Sequence, residues 1–302
     1  GLRSSGAAGR RRRALAPSRA GAPDDRGPLV PVVGAALVPG MPHLLAADPA
    51  PSWKLLADAA RRAGRDLRSA APDAFVVLST QWFTVLGHQF QVDPNPRGGH
   101  VDENWYAYDY GTLDYDLRVD VELAEAWACQ AEDMGFQARR TRYDGFPVDT
   151  GTVVAGRLVD PDRSRPIALV SCNLYAAADD LGRIAEAAAL AAGKLGRRVA
   201  FVASSGLSSG LIQRWIEPAE GRFEDAGHDA WNRRVLDLLA AGRLEDVLAL
   251  REQYAREAQA DSQLRALAFL AGSGACDRPA RVHAYGPVWG TGAAVITWLD
   301  GT

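Results

Sequence analysis

The order of the apolar segments limits the fold of this chain more than any other feature. From residue 31 onward, short β-branched runs alternate with longer stretches whose apolar residues recur every three or four positions. PVVGAALV (31–38), AFVVLS (74–79), IALVSC (167–172), RVAFVA (198–203) and GAAVITWL (292–299) read as buried strands, with a shorter one at HQFQV (88–92). Between them, Ser52 is expected to cap a helix over WKLLADAARRAGRDLRSA, and Asp120 to cap VELAEAWACQAEDMG, which stops at Gly135. Further helices are expected around 179–195, 226–241 and 254–271. Strands separated by helices of this length are joined by crossovers rather than hairpins. The expected fold is α/β, a mostly parallel central sheet flanked by helices in one domain over 31–302.

Composition narrows the function classes. A chain of 302 residues, 47% apolar, can bury a full core. Its net charge of −3, with no basic face at helical spacing, argues against nucleic acid or an acidic membrane as partner. Cys129, Cys172 and Cys276 are scattered without a C-x-x-C pair, which fits a reducing compartment and a cytoplasmic location. No apolar stretch approaches the roughly 20 residues of a membrane span. Residues 1–30, rich in Gly, Ala, Arg, Pro and Ser, are expected to form a disordered tail outside the domain. The Tyr- and Asp-rich segment over 93–118, especially HVDENWYAYDYG, is expected to be a lid or contact surface.

Two glycine-rich stretches suggest chemistry. Gly206, Leu207, Ser208, Ser209 and Gly210 spell G-x-S-x-G after the RVAFVA run, the pattern that lifts a nucleophilic serine onto a strand-to-helix turn. His283 lies downstream, as a Ser–acid–His order requires. Pro218 follows too soon for the usual helix, however, and no oxyanion loop of the HGG type precedes the motif. A plain turn is the stronger expectation, with a serine hydrolase using Ser208 as the alternative. GTGAAV (290–295) resembles part of a dinucleotide fingerprint but leads into a strand, so it lacks the amide cradle for a phosphate. Of the five histidines, no two have zinc spacing. His43 follows the first strand, where α/β folds place functional loops; His100 and His228 are expected to be solvated, and His88 and His283 to be structural or ligating. Asn173 and Tyr175 fall at a strand's carboxyl edge.

In chain order, VPGMPHLL, STQWFTVLGHQF, PVDTGT, ASSGLSSG, AREAQADSQLRALAFLAG and YGPVWGTGAAVITW resemble segments of the class III extradiol ring-cleavage dioxygenases, the superfamily of the protocatechuate 4,5-dioxygenase β subunit. The resemblance runs from about Val32 to Trp298. HVDENWYAYDYGTLDYDLRVD, YDGFPVDTGT and WNRRVLDLLAAG are similar in particular to the α-type subunits of 2-aminophenol 1,6-dioxygenases.

Catalytic members of this family hold non-haem Fe(II) through two histidines and a carboxylate, and use a further histidine as acid/base. Active relatives read P-H-P-P-H after the first strand; here Pro39, Gly40, Met41, Pro42 and His43 place Gly40 at the first ligand position. They read S-P-H-W after the second; here Ser79, Thr80, Gln81 and Trp82 place Gln81 at the second. The carboxylate position matches Asp261, expected on a late helix. The acid/base position matches Ser209, and the aromatic or histidine before the mid-chain Gly-Thr matches Thr150. The resemblance thus implies a non-catalytic, regulatory or structural α-type subunit with a degenerate iron site and no cofactor of its own. It implies as partner a homologous catalytic β subunit that carries Fe(II) and cleaves 2-aminophenol or a related catechol-like aromatic. A vestigial pocket would be lined by His43, Trp82, Thr150, Asn173 and Ser208. Two further alternatives are an active dioxygenase with nonstandard ligands, among them His43 and His88, and a small-molecule binding module in the emptied pocket.

Overall fold

The computed structural model describes residues 31–100 and 112–299. The first half runs β1 (Val32–Val38), α1 (Pro51–Ser69), β2 (Ala74–Thr84), β3 (His88–Gln91), β4 (Arg97–His100), β5 (Leu113–Asp116), α2 (Val121–Asp133), β6 (Ala138–Thr141) and α3 (Thr150–Val159). The second half runs β7 (Ile167–Asn173), α4 (Ala178–Lys194), β8 (Val199–Ser204), α5 (Ala226–Ala240), α6 (Leu244–Ala249), α7 (Arg251–Ala258), α8 (Arg265–Ala271), β9 (Arg281–Val288) and β10 (Thr291–Leu299). Eight strands form one sheet in the order β6-β3-β7-β2-β8-β1-β10-β9. Its centre, β7-β2-β8-β1, is parallel throughout, while β10 and β9 close one edge antiparallel. β4 and β5 make a separate antiparallel ribbon, so the segment expected as a long loop is partly strand. The expected contact surface at HVDENWYAYDYG lies, apart from His100, outside the described residues, as do residues 1–30.

Both faces of the sheet are covered, which explains why its central strands read as continuous apolar runs. Along β1, Ala35 and Leu37 join the core beneath α2, α4 and α8, whereas Ala36 and Val38 join the core beneath α1 and α3. Trp127 and Phe269 anchor the first core and Trp53 the second. Helices approach closely where a side chain is missing. A Cβ on Gly64 of α1 would fall 2.1 Å from the Val159 carbonyl oxygen at the end of α3, and one on Gly272 would fall 1.9 Å from the Gly182 oxygen of α4.

Local chemistry sets some helix ends and tertiary contacts set others. Asp120 caps α2 by accepting from the Leu123 amide at 3.1 Å, and Gly135 ends the helix at φ +90°. Ser52, by contrast, lies inside α1, which begins at Pro51 without a side-chain cap; its hydroxyl donates to the Pro287 carbonyl at 2.9 Å. The single late helix expected over 254–271 is broken. Gln259, Ser262, Gln263 and Leu264 all have left-handed backbone, separating α7 from α8 by a 3₁₀ turn over Asp261–Leu264. Among the described residues, no helix is long and apolar enough to cross a membrane.

Candidate functional site

The carboxyl ends of β1, β2 and β8 converge, as open α/β sheets require of a binding crevice. β2 pairs with β7 through Ser79–Ser171 and resumes at Phe83–Cys172, so Thr80, Gln81 and Trp82 bulge out of the ladder. That bulge re-aims Thr80 and Gln81 toward the loops that follow β1 and β8. The Gln81 side-chain amide donates to the Gly40 carbonyl at 3.1 Å. Gly40 is packed where no side chain fits: a Cβ would lie 2.3 Å from Ser204 Oγ and 2.6 Å from Gly151 Cα. On the far side, Ser79 donates to Asp149 at 2.5 Å, and Ser204 donates to the Gly151 carbonyl at 3.0 Å. Asp149 caps α3 through the Thr152 amide and hydroxyl at 2.9 and 2.6 Å.

Asp261 closes the arrangement from the turn between α7 and α8 and not, as expected from the sequence, from within a helix. Its Oδ2 accepts from the Gly206 amide at 2.7 Å, from Ser205 Oγ at 3.0 Å and, at a longer 3.4 Å, from Thr80 Oγ1. Its Oδ1 accepts from Ser262 Oγ at 3.1 Å. Three consecutive non-glycine residues after it hold left-handed φ values of 44°, 54° and 58°, a conformation costing roughly 1–2 kcal/mol each. The buried Arg265 guanidinium steadies this turn, donating to the Ser262 carbonyl at 3.0 Å and to the Ala176 carbonyl at 3.1 and 3.2 Å. Burial pushes the nearby Cys172 thiol up to about 12, so it stays protonated.

The GLSSG loop is a clasp for the same turn. Ser208 is fully buried; its Oγ accepts from Asn232 Nδ2 at 2.9 Å and from the Gly292 amide at 3.0 Å. Tyr254 in turn donates to Asn232 Oδ1. Ser209 is exposed, and its hydroxyl and amide both donate to the Gln259 carbonyl, at 2.6 and 2.9 Å. His283 lies on β9 and bonds Thr297 Oγ1 at 2.7 Å, so no serine–histidine pair forms. No helix starts between Gly210 and Pro218 either. The hydrolase alternative therefore fails on geometry.

The fold brings Gly40, Gln81 and Asp261 to one place, with Thr150 on the adjoining turn of α3. Ser208 lies beside the Asp261 turn, bridged to Ala260, whereas His43, Trp82 and Asn173 spend their side chains on other contacts. His43 is buried in a 3₁₀ turn (Pro42–Leu45), edge-on to Trp53 at 4.9 Å and stacked on Trp289 at 6.5 Å. Trp82 is buried against Phe146, ring centres 6.1 Å apart. Asn173 caps its own turn by accepting from the Tyr175 amide at 2.9 Å. His88 is buried against Phe136 on β3, and burial holds it below the usual histidine range. His228 is buried and His100 half-buried beside the Val148 carbonyl, so neither is the solvated residue expected. The sequence assigned no role to Thr80, Ser205, Gly206 or Asp149, although all four lie within the motifs STQW, ASSGLSSG and PVDTGT. Among the described residues, no three His, Cys, Asp or Glu side chains converge on one point.

Residues 34–295 match the family described as the catalytic LigB subunit of aromatic ring-opening dioxygenase. The chain is 35% identical over 271 residues to the 2-aminophenol 1,6-dioxygenase alpha subunit of a Pseudomonas species, covering 88% of this chain and 98% of that one. It is 28% identical over 294 residues to the beta subunit of the same-named Pseudomonas enzyme, covering 88% and 93%. The crystal structure of an uncharacterized Escherichia coli K12 protein superposes with a TM-score of 0.63 at 14% identity, covering 88% of this chain and 99% of that one, a likeness of fold alone. On these grounds the chain belongs to the LigB family of class III extradiol, aromatic ring-opening dioxygenases, related to the 2-aminophenol 1,6-dioxygenase alpha subunit.

Proposed function

We propose that this chain is the non-catalytic α-type subunit of a two-subunit extradiol dioxygenase. Its partner would be a homologous β subunit that carries Fe(II) and cleaves 2-aminophenol or a related aromatic. The observation that carries this reading is the state of Asp261. Its Oδ2 is already engaged by the Gly206 amide at 2.7 Å and Ser205 Oγ at 3.0 Å, which fits a carboxylate that serves the fold rather than a metal. The other two ligand positions support the same reading. Gly40 offers no side chain and has room for none, and Gln81 turns its amide N–H groups inward onto the Gly40 carbonyl. A two-histidine, one-carboxylate iron site does not fit this donor set.

The subunit acts on the assembly by mass action: binding to the folded partner stabilises it and keeps its site formed. Purification with and without a β subunit tests this. The pair should hold iron and cleave 2-aminophenol, while the isolated chain, reconstituted anaerobically with Fe(II), should retain no stoichiometric iron and give no ring-cleavage absorbance. Tight iron with turnover in the isolated chain would overturn the proposal and favour an active enzyme with nonstandard ligands.

A further inference from the structure

A cavity of about 380 Å³ opens between α3, the start of β7 and the strand β5, on the sheet face opposite α2 and α4. Its floor is apolar, made by Phe75, Val77, Val153 and Val202. Its rim carries four guanidinium groups, those of Arg118, Arg157, Arg163 and Arg165, and three carboxylates, those of Asp114, Asp116 and Asp160. Two of the carboxylates are already engaged. Asp116 pairs with Arg97 at 3.0 Å and Arg163 at 3.6 Å. Asp160 accepts from Ser164 Oγ at 2.8 Å and the Arg165 amide at 2.9 Å, and faces Arg68 at 3.8 Å.

Arg118 and Arg165 are left without a carboxylate among the described residues; both reach only the Ser164 carbonyl, at 3.0 and 3.4 Å. A guanidinium without a carboxylate partner presents a planar fork of donors, and a carboxylate matches its geometry.

A second observation comes from α3. Gly156 lies inside this helix on the cavity wall, and a Cβ there would meet nothing within 4 Å. Packing explains Gly64 but not Gly156, which is a poorer helix former than alanine. A glycine without a packing reason suits a place where a ligand approaches the backbone.

We infer that this cavity binds a small aromatic carboxylate, its ring on the apolar floor and its carboxylate on Arg165 and Arg118. The volume falls near the lower end of small-molecule sites, which run from about 300 Å³. The inference stands apart from the proposed subunit role, since the isolated full chain suffices to test it. Calorimetry and thermal shift would use 1-naphthoate and benzoate as probes, with 1-naphthamide as the uncharged control. Saturable naphthoate binding is expected, roughly tenfold or more tighter than the amide, because a charge-assisted pair is lost in the latter. Arg165→Met should weaken it by a similar factor. Gly156→Leu should abolish it while leaving the melting temperature equal or higher, so loss of binding cannot be confused with loss of fold. No saturable binding of either acid, equal binding of the amide, or undiminished binding by Gly156→Leu would overturn the inference.

Discussion

Asp261→Ala removes the acceptor on which the strand-end loops converge. Two of its bonds are short and well placed, those from the Gly206 amide at 2.7 Å and Ser205 Oγ at 3.0 Å. The Thr80 contact is long at 3.4 Å, and Ser262 is exposed enough to turn to water. Only the first two therefore count heavily. A buried donor left unsatisfied costs about 1–3 kcal/mol, so the pair should cost about 3–4 kcal/mol. At about 2 °C per kcal/mol for a domain of this size, the melting temperature should fall by about 6–8 °C. Asp261→Asn keeps one carbonyl oxygen for those donors and should lose about half as much. Urea unfolding of the three proteins, with unchanged slope and lowered midpoints, checks the ranking. Were Asp261 a metal ligand instead, alanine would leave stability within about 1 kcal/mol and change the iron content. Either result would refute the structural role assigned to this carboxylate.

Gly40→His should destabilise the chain by about 3 kcal/mol or more, because its Cβ meets Ser204 and Gly151, and it should recruit no iron; melting and metal analysis check both. Ser208→Ala should cost about 1–3 kcal/mol by orphaning Asn232 Nδ2, since the Gly292 amide keeps the Ser208 carbonyl at 3.0 Å, while an ester-hydrolysis assay reads the same before and after. His88 is held below its ordinary 6.5 by burial, so the unfolded chain binds its proton first as pH falls. Stability should be full above about pH 7 and decline below about 6.5, and His88→Phe should reduce that slope in denaturation at pH 8 and 5.5.

The sheet's centre was legible because burial on both faces leaves an unbroken apolar run, as in Phe75–Leu78 and Val199–Ala203. Strand β9 was not, because RVHAYGPV carries Gly286 and Pro287 and reads as a loop; an edge strand tolerates both. Asp120 announced α2 because it does its capping locally. Ser52 looked the same in sequence but spends its hydroxyl on Pro287, a partner no local pattern reveals. The break before α8 was invisible for a related reason. Gln259, Ser262, Gln263 and Leu264 carry no Gly, Pro or Asn signal, and tertiary bonds from Ser209 and Arg265 hold them left-handed. Of the site, matched positions located Gly40, Gln81 and Asp261, but not the hydroxyls of Thr80 and Ser205, whose role depends on a bulge and a loop meeting across the sheet.

The place of β1 in the sheet has a consequence for biosynthesis. β1 is flanked by β8 and β10, with Gly34 opposite Leu299, both neighbours coming from the distant second half of the sequence. A ribosome releases β1 long before either neighbour exists, and the sheet cannot be sealed until β10 has emerged. Folding is therefore dominated by distant pairings and waits for β8 and β10, and until then an apolar strand lies open along both edges. Any truncation that removes β10 should yield not a smaller domain but a sticky one.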